Sequence, residues 1–309
     1  MVKSVKLYLI LFFTISSYAQ KNYVKTFGDK KNHSIIFLHG GPGYNSVNFE
    51  ATTAKNLSDN GFFVIVYDRR GEGRSSKNLA KFTFKETFDD INSIYNRFNL
   101  KSATLLGHSF GGIIAILFAE KHPDKIKSIV LTGVPISMQE TFSTILKSSK
   151  TIYQNTKDNV NLNYIKILEK MDKSSIEFSS YCFSHAMQNG FYYPKKPTEK
   201  ALNMYAKFKT DSLLIKYVSK MSYQAPKGFW ENENYTTLNL NSNLKNIINQ
   251  GIKVFGIYGK DDGLFSEKQI NKIQNNIGKT NFEYLENCSH NTFIDRQTKF
   301  ISLLKKWVL

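Results

Sequence analysis

Residues Gly107–His108–Ser109–Phe110–Gly111 spell G-x-S-x-G, with the short apolar run Ala103–Leu106 before them and the apolar stretch Gly112–Glu120 after them. A serine between a buried strand and a helix sits in a tight turn. Small neighbours at 107 and 111 avoid clashes there. Its hydroxyl then stands clear of the chain at the positive end of a helix. A serine hydroxyl is a weak nucleophile until an adjacent base takes its proton and a third group orients that base. Two later segments supply those groups: Gly259–Lys260–Asp261–Asp262–Gly263 and Glu286–Asn287–Cys288–Ser289–His290. His290 is the candidate base. Side-chain chemistry does not separate Asp261 from Asp262 as its partner. A fourth segment, His39–Gly40–Gly41–Pro42–Gly43, suits a turn that brings backbone N–H groups close to a developing oxyanion. The candidate donors are the N–H groups of Gly41 and Phe110, whereas Pro42 has none to offer.

These segments need a scaffold that gathers them. Six apolar runs recur along the chain: Ser34–Leu38, Phe62–Tyr67, Ala103–Leu106, Lys127–Leu131, Lys253–Tyr258 and Phe282–Leu285. They are continuous rather than alternating, as expected of strands buried on both faces of a mostly parallel sheet covered by helices. Active sites of such sheets lie beyond the carboxyl ends of the strands, and each candidate segment falls at such an end. Residues 135–240 break the rhythm. They are rich in Ser, Lys, Asn and Tyr with amphipathic patches such as Tyr164–Leu168, and read as a helical cap inserted between the fourth and fifth runs. The core is then 20–134 and 241–309.

Lys3 and Lys6 precede the apolar run Leu7–Phe13, and Ser17–Tyr18–Ala19 closes the segment. This is the pattern of a secretory signal peptide over 1–19, and the apolar run is too short for a membrane span. A secreted or periplasmic protein is expected. The net charge of +17 is spread along the chain and is almost all lysine. With no dense basic run and no interleaved aromatics, a nucleic-acid partner is not expected. Cys182 and Cys288 are expected to be unpaired and buried. No metal or organic cofactor is implied. Of the other histidines, His39 is expected to brace its loop, His108 to point into the sheet, and His33 to be exposed.

The four segments together resemble the proline iminopeptidase branch of the α/β-hydrolase superfamily. They are His39–Gly43, Asp68–Arg69–Arg70–Gly71–Glu72–Gly73–Arg74–Ser75, the Ser109 turn and Asn287–His290. The resemblance implies an α/β-hydrolase fold with an inserted helical cap. The order Ser109, Asp, His290 is that superfamily's order, and its G-x-x-D pattern selects Asp262 as the acid. It places the oxyanion donors at Gly41 and Phe110. It also implies a small amide or short peptide with a free N-terminus as substrate, the amine being held by cap glutamates. Glu177, Glu231 and Glu233 are the candidates. An esterase or lactonase, and a non-catalytic ligand-binding protein, are the alternatives. The second segment departs from the family's usual Asp-Gln-Arg-Gly, because Arg69 replaces the glutamine. Ion pairing of Arg69, Arg70 and Arg74 with Asp68 and Glu72, stiffening the loop, is the expected role of this cluster.

Overall fold

The structure, a computed structural model, describes residues 21–309. The expected signal peptide lies outside the described residues. Six strands match the apolar runs: β2 (His33–Leu38), β3 (Phe62–Tyr67), β4 (Ala103–His108), β5 (Ile126–Thr132), β6 (Val254–Gly259) and β7 (Phe282–Leu285). A further strand, β1 (Val24–Phe27), was not expected from the sequence. The sheet order is β1-β3-β2-β4-β5-β6-β7. Every pair is parallel except β1 with β3, in which Val24 lies opposite Tyr67. β1 is a short, half-buried edge strand, so it carries no continuous apolar run.

Successive residues of the inner strands face opposite sides of the sheet. Ile36, Leu38, Ile65, Leu105 and Ile129 pack into one apolar layer. Ile35, Phe37, Val64, Leu106 and Val130 pack into the other, where Phe37 stacks on Phe49 at 3.8 Å. Helix Phe84–Phe98 starts at Thr83, whose side chain accepts the Glu86 N–H, and stops at Asn99 in the left-handed conformation. Helix Glu267–Ile277 opens on a capping box between Ser266 and Gln269.

Between β5 and helix Asn241–Asn249 the chain leaves the sheet and runs through helices from Met138 to Glu233. The neck of this excursion is tied by a bridge between Ser137 and Asn239. Hydrogen bonds from Met138 N to Leu238 O (3.0 Å) and from Leu240 N to Ile136 O (2.7 Å) flank it. Phe142 is the hub of its interior, with Phe178 and Phe183 each at 5.6 Å. Cys182 and Cys288 are both free and buried, as expected. No helix among the described residues is long and apolar enough to cross a membrane.

The helix after β4, Phe110–Lys121, lies directly on the sheet because three glycines remove the side chains between them. A Cβ on Gly111 would come within 2.0 Å of Leu38 O, and one on Gly107 within 2.5 Å of Gly112 Cα. Neither contact can be relieved by a rotamer change, because each involves backbone. Gly111→Ala is expected to cost more than about 3 kcal/mol, at the upper end of overpacking penalties. Urea unfolding and soluble yield would check this, and a midpoint like that of the unmodified protein would refute it.

Candidate active site

Ser109 joins β4 to helix Phe110–Lys121 with φ 52° and ψ −124°, a region that non-glycine residues rarely occupy. Its amide donates to Thr132 O on β5 at 3.0 Å, and its carbonyl accepts from Gly112 N at 2.9 Å. These bonds fix the Ser109 backbone, and the residue remains partly exposed. Phe110 is the first residue of its helix, so its N–H has no intrahelical acceptor.

His290 lies past the end of β7 and is buried. Its Nδ1 meets Asp262 Oδ2, past the end of β6, at 2.8 Å. The other Asp262 oxygen accepts the Leu264 N–H at 3.2 Å. Asp261 faces elsewhere, its carboxylate accepting the Lys195 N–H at 3.0 Å. The two adjacent aspartates thus have separate tasks, and Asp262 is the one paired with the imidazole.

His108, the residue before Ser109, is buried edge-on to Phe293 of one apolar layer, at 5.2 Å. Its ring lies 4.8 Å from the His290 ring, and its Nε2 donates to the His290 carbonyl at 3.2 Å. Burial, and next the neighbouring His290, hold His108 well below the ordinary histidine pKa. It is therefore a neutral prop under the His290 loop. Tyr192, edge-on to His290 at 5.0 Å, closes the other side. Neither residue carried a signal in the sequence, since each reads as ordinary core. His33 is half-buried rather than exposed, with Thr104 Oγ1 at 2.8 Å and Lys127 Nζ at 2.9 Å, and its pKa is pushed down to about 4 by burial and then by Lys127.

The glycine loop past β2 is braced from below. His39 Nε2 accepts the Arg69 N–H at 3.1 Å, so the proton sits on Nδ1, which donates to Gly40 O at 2.9 Å. The Arg69 guanidinium pairs with Glu72 through two bonds of 3.0 and 2.9 Å and reaches the His39 and Gly40 carbonyls at 2.5 and 2.6 Å. Burial raises the Glu72 carboxyl, against the pull of Arg69. The arginine cluster ties its loop as expected, Arg69 to Glu72 and Arg74 to Asp68, except that Arg70 reaches outside the loop. Arg74 takes Asp68 (2.7 Å) and Glu50 (2.6 Å), and Arg70 takes Asp90 (2.5 Å). Although burial alone would push the Asp68 carboxyl up, Arg74 holds it below the usual value.

Over Phe110 lies an aromatic shelf supplied by the helical segment: Phe229 at 5.1 Å and Tyr235 at 5.7 Å, backed by Phe84. The three glutamates expected to hold a substrate amine do not line a buried pocket. Glu177 and Glu231 are exposed, and Glu231 faces Lys227 at 3.7 Å. Glu233 is half-buried, but its carboxylate accepts the Phe84 N–H at 2.6 Å and so caps helix Phe84–Phe98. A carboxylate in water, or one already engaged, is a poor partner for a desolvated ammonium. Among the described residues no three or more His, Cys, Asp or Glu side chains gather to hold a metal.

Asp295 stands behind the His290 loop, accepting the Ser289 N–H at 2.7 Å and the Tyr205 hydroxyl at 2.6 Å. Burial pushes its pKa up to about 6 in spite of both bonds. A carboxyl raised on folding binds its proton more tightly in the folded state. The stability it contributes is complete below about pH 4 and is lost as pH rises through the folded pKa. Relative to Asp295→Asn, the unmodified protein should lose about 2–3 kcal/mol of unfolding free energy between pH 4 and pH 7.5. Urea titrations at both pH values would test this, and a constant gap between the two proteins would refute it.

With this geometry in place, comparison with known proteins is informative. Residues 33–297 match the family model for the alpha/beta hydrolase fold. A proline iminopeptidase of Lactobacillus acidophilus is 23% identical over 287 residues, 89% of each chain. Among solved structures, a proline iminopeptidase-related protein from Thermus thermophilus aligns with a TM-score of 0.67 at 19% identity, over 93% of this chain and 94% of that one. A carboxylesterase structure from Nitrososphaera gargenis aligns with a TM-score of 0.61 at 19% identity, over 93% of both chains. At that identity the two structures speak for the fold. The chain belongs to the α/β-hydrolase family and is a hydrolase of that type.

Proposed function

We propose that this protein is a serine hydrolase that cleaves a small amide or peptide with a free N-terminus. The observation that carries the chemistry is the buried His290–Asp262 pair at 2.8 Å, with the His290 loop resting on the residue next to Ser109. Ser109 Oγ attacks the acyl carbon while His290 takes its proton. The tetrahedral oxyanion is met by the N–H groups of Gly41 and Phe110. His290 then returns the proton to the leaving group, and water repeats the sequence to release the acid. Asp262 fixes the imidazole tautomer with its free nitrogen toward the serine and stabilises the charged ring. Similarity to a proline iminopeptidase over 89% of both chains supports the substrate class. The leader read over residues 1–19 supports action outside the cytoplasm.

A second reading, an esterase or lactonase, is favoured by one specific observation: Glu177 and Glu231 are exposed and Glu233 is engaged with Phe84 N.

Ser109→Ala is expected to abolish turnover and labelling by a fluorophosphonate while leaving the fold intact. An unlabelled native protein would point to a binding protein instead. Asp262→Asn should lower kcat by about 10³- to 10⁴-fold, whereas Asp261→Asn should stay within about threefold. Equal losses would undo the assignment of the acid. Rates on proline naphthylamide, on its N-acylated form and on short acyl esters separate the two substrate readings. Reaction with the esters alone would exclude the aminopeptidase.

A further inference from the structure

The proposed oxyanion donor at Gly41 belongs to the peptide group that joins Gly40 to Gly41. That peptide is trans, so its C=O and N–H point in opposite directions. Whatever holds the Gly40 oxygen therefore aims the Gly41 N–H. Two donors hold it: Arg69 Nη2 at 2.6 Å and His39 Nδ1 at 2.9 Å. The same guanidinium grips the preceding carbonyl, His39 O, at 2.5 Å. Glu72 completes the circuit by accepting the Gly43 N–H at 3.0 Å, and so ties the far end of the loop to the same ion pair. The Arg69 guanidinium also lies 5.4 Å from the ring of Phe110, the residue that carries the other proposed donor.

We propose that Arg69, oriented by Glu72, is the positioning residue of the oxyanion hole, and that it polarises the Gly40–Gly41 peptide as well as fixing it. This rests on the serine-hydrolase reading given above. A hydrogen bond from a cation to a peptide oxygen draws charge toward that oxygen and strengthens the N–H at the other end of the same group. The effect is large here because Arg69 and Glu72 side chains are only 3% and 0% exposed, so water does not screen it. A buried ion pair gives little net stability compared with an apolar pair of the same volume. Its geometry at this loop points to another role. Arginine alone suits the position: its planar fork serves two carboxylate oxygens and two carbonyls at once, whereas a lysine ammonium is a point charge with three donors.

The test is Arg69→Lys, which keeps the buried charge paired but cannot make all four bonds. Rates on p-nitrophenyl acetate are normalised to the sites titrated by a fluorophosphonate. A trifluoromethyl ketone, which forms a tetrahedral oxyanion on the serine, provides a second readout. The expected result is a loss of about 10- to 100-fold in kcat/KM per titrated site, below the cost of deleting a donor outright, and an equal loss in affinity for the ketone. A merely structural role would lower the melting temperature and the fraction of titratable sites, leaving the other two readouts within twofold. That outcome overturns the proposal. If Arg69→Lys does not fold, Glu72→Gln is measured in the same way, with the same direction and a smaller loss expected. Ser109→Ala is run alongside. If it retains activity, the serine mechanism fails and this inference with it. If it is inactive, the Arg69 result stands on its own.

Discussion

Backbone contact between the Phe110–Lys121 helix and the sheet is the constraint on which the site depends. With a Cβ at 111 or 112 the helix would have to lift off Leu38 or Val134, and with one at 107 its first turn would have to lift off β4. That displacement would relax the turn at Ser109, whose φ of 52° is tolerated only because the packing on both sides over-determines it. The same close approach puts the helix N-terminus level with the glycine loop past β2. Ser109 and the proposed donor at Phe110 are therefore placed by tight packing of small residues, while the proposed donor at Gly41 is aimed by the Arg69 and His39 side chains.

Electrostatic order follows from burial. Asp68, Glu72, Asp262 and Asp295 are all nearly inaccessible, and each has identifiable donors. Four carboxyls without partners would be intolerable in such an interior. Their partners divide the site into two halves. Arg74 and Arg69 lock the strand ends that carry the glycine loop. Asp262 and Asp295 act on the loop that carries His290, one through the imidazole and one through the Ser289 amide. His108 links the halves, with Gly40 against its ring and its Nε2 bonded to the His290 carbonyl.

Much of this was legible because a strand buried on both faces writes itself as an unbroken apolar run, and all six such runs are strands. β1 was not legible: Val24–Lys25–Thr26–Phe27 is four residues long and lies at an edge that needs no apolar continuity. Gly41, Phe110, Ser109 and His290 could be nominated from residue type and position past a strand. Asp261 and Asp262 could not be told apart by chemistry, because neighbours in one turn differ only in where the backbone aims them. Arg69 read correctly as a stiffener of its loop. Which of Asp68 and Glu72 it takes was left open, since both lie within three residues and only the fold gives Asp68 to Arg74. The glutamates of the helical segment were least legible. Helical phase says which residues share a face, and nothing about what that face covers.

Phe110, Phe229 and Tyr235 are all buried, so this aromatic cluster holds the helical segment onto the core beside Ser109. Phe229 and Tyr235 reach the site from the helical segment, while Phe84 comes from the core helix whose first N–H is capped by Glu233. Glu233 lies one turn beyond Phe229 on the helix Gln224–Glu233. Its bond to Phe84 thus ties the aromatic cluster to the core helix that Phe84 opens. A carboxylate used in this way fastens the aromatic cluster and is not free to offer its charge to a substrate. An incoming ammonium would have to compete with a backbone N–H at 2.6 Å for that oxygen. A neutral acyl group faces no such competition, so the engaged Glu233 weighs against recognition of a free N-terminus through this carboxylate.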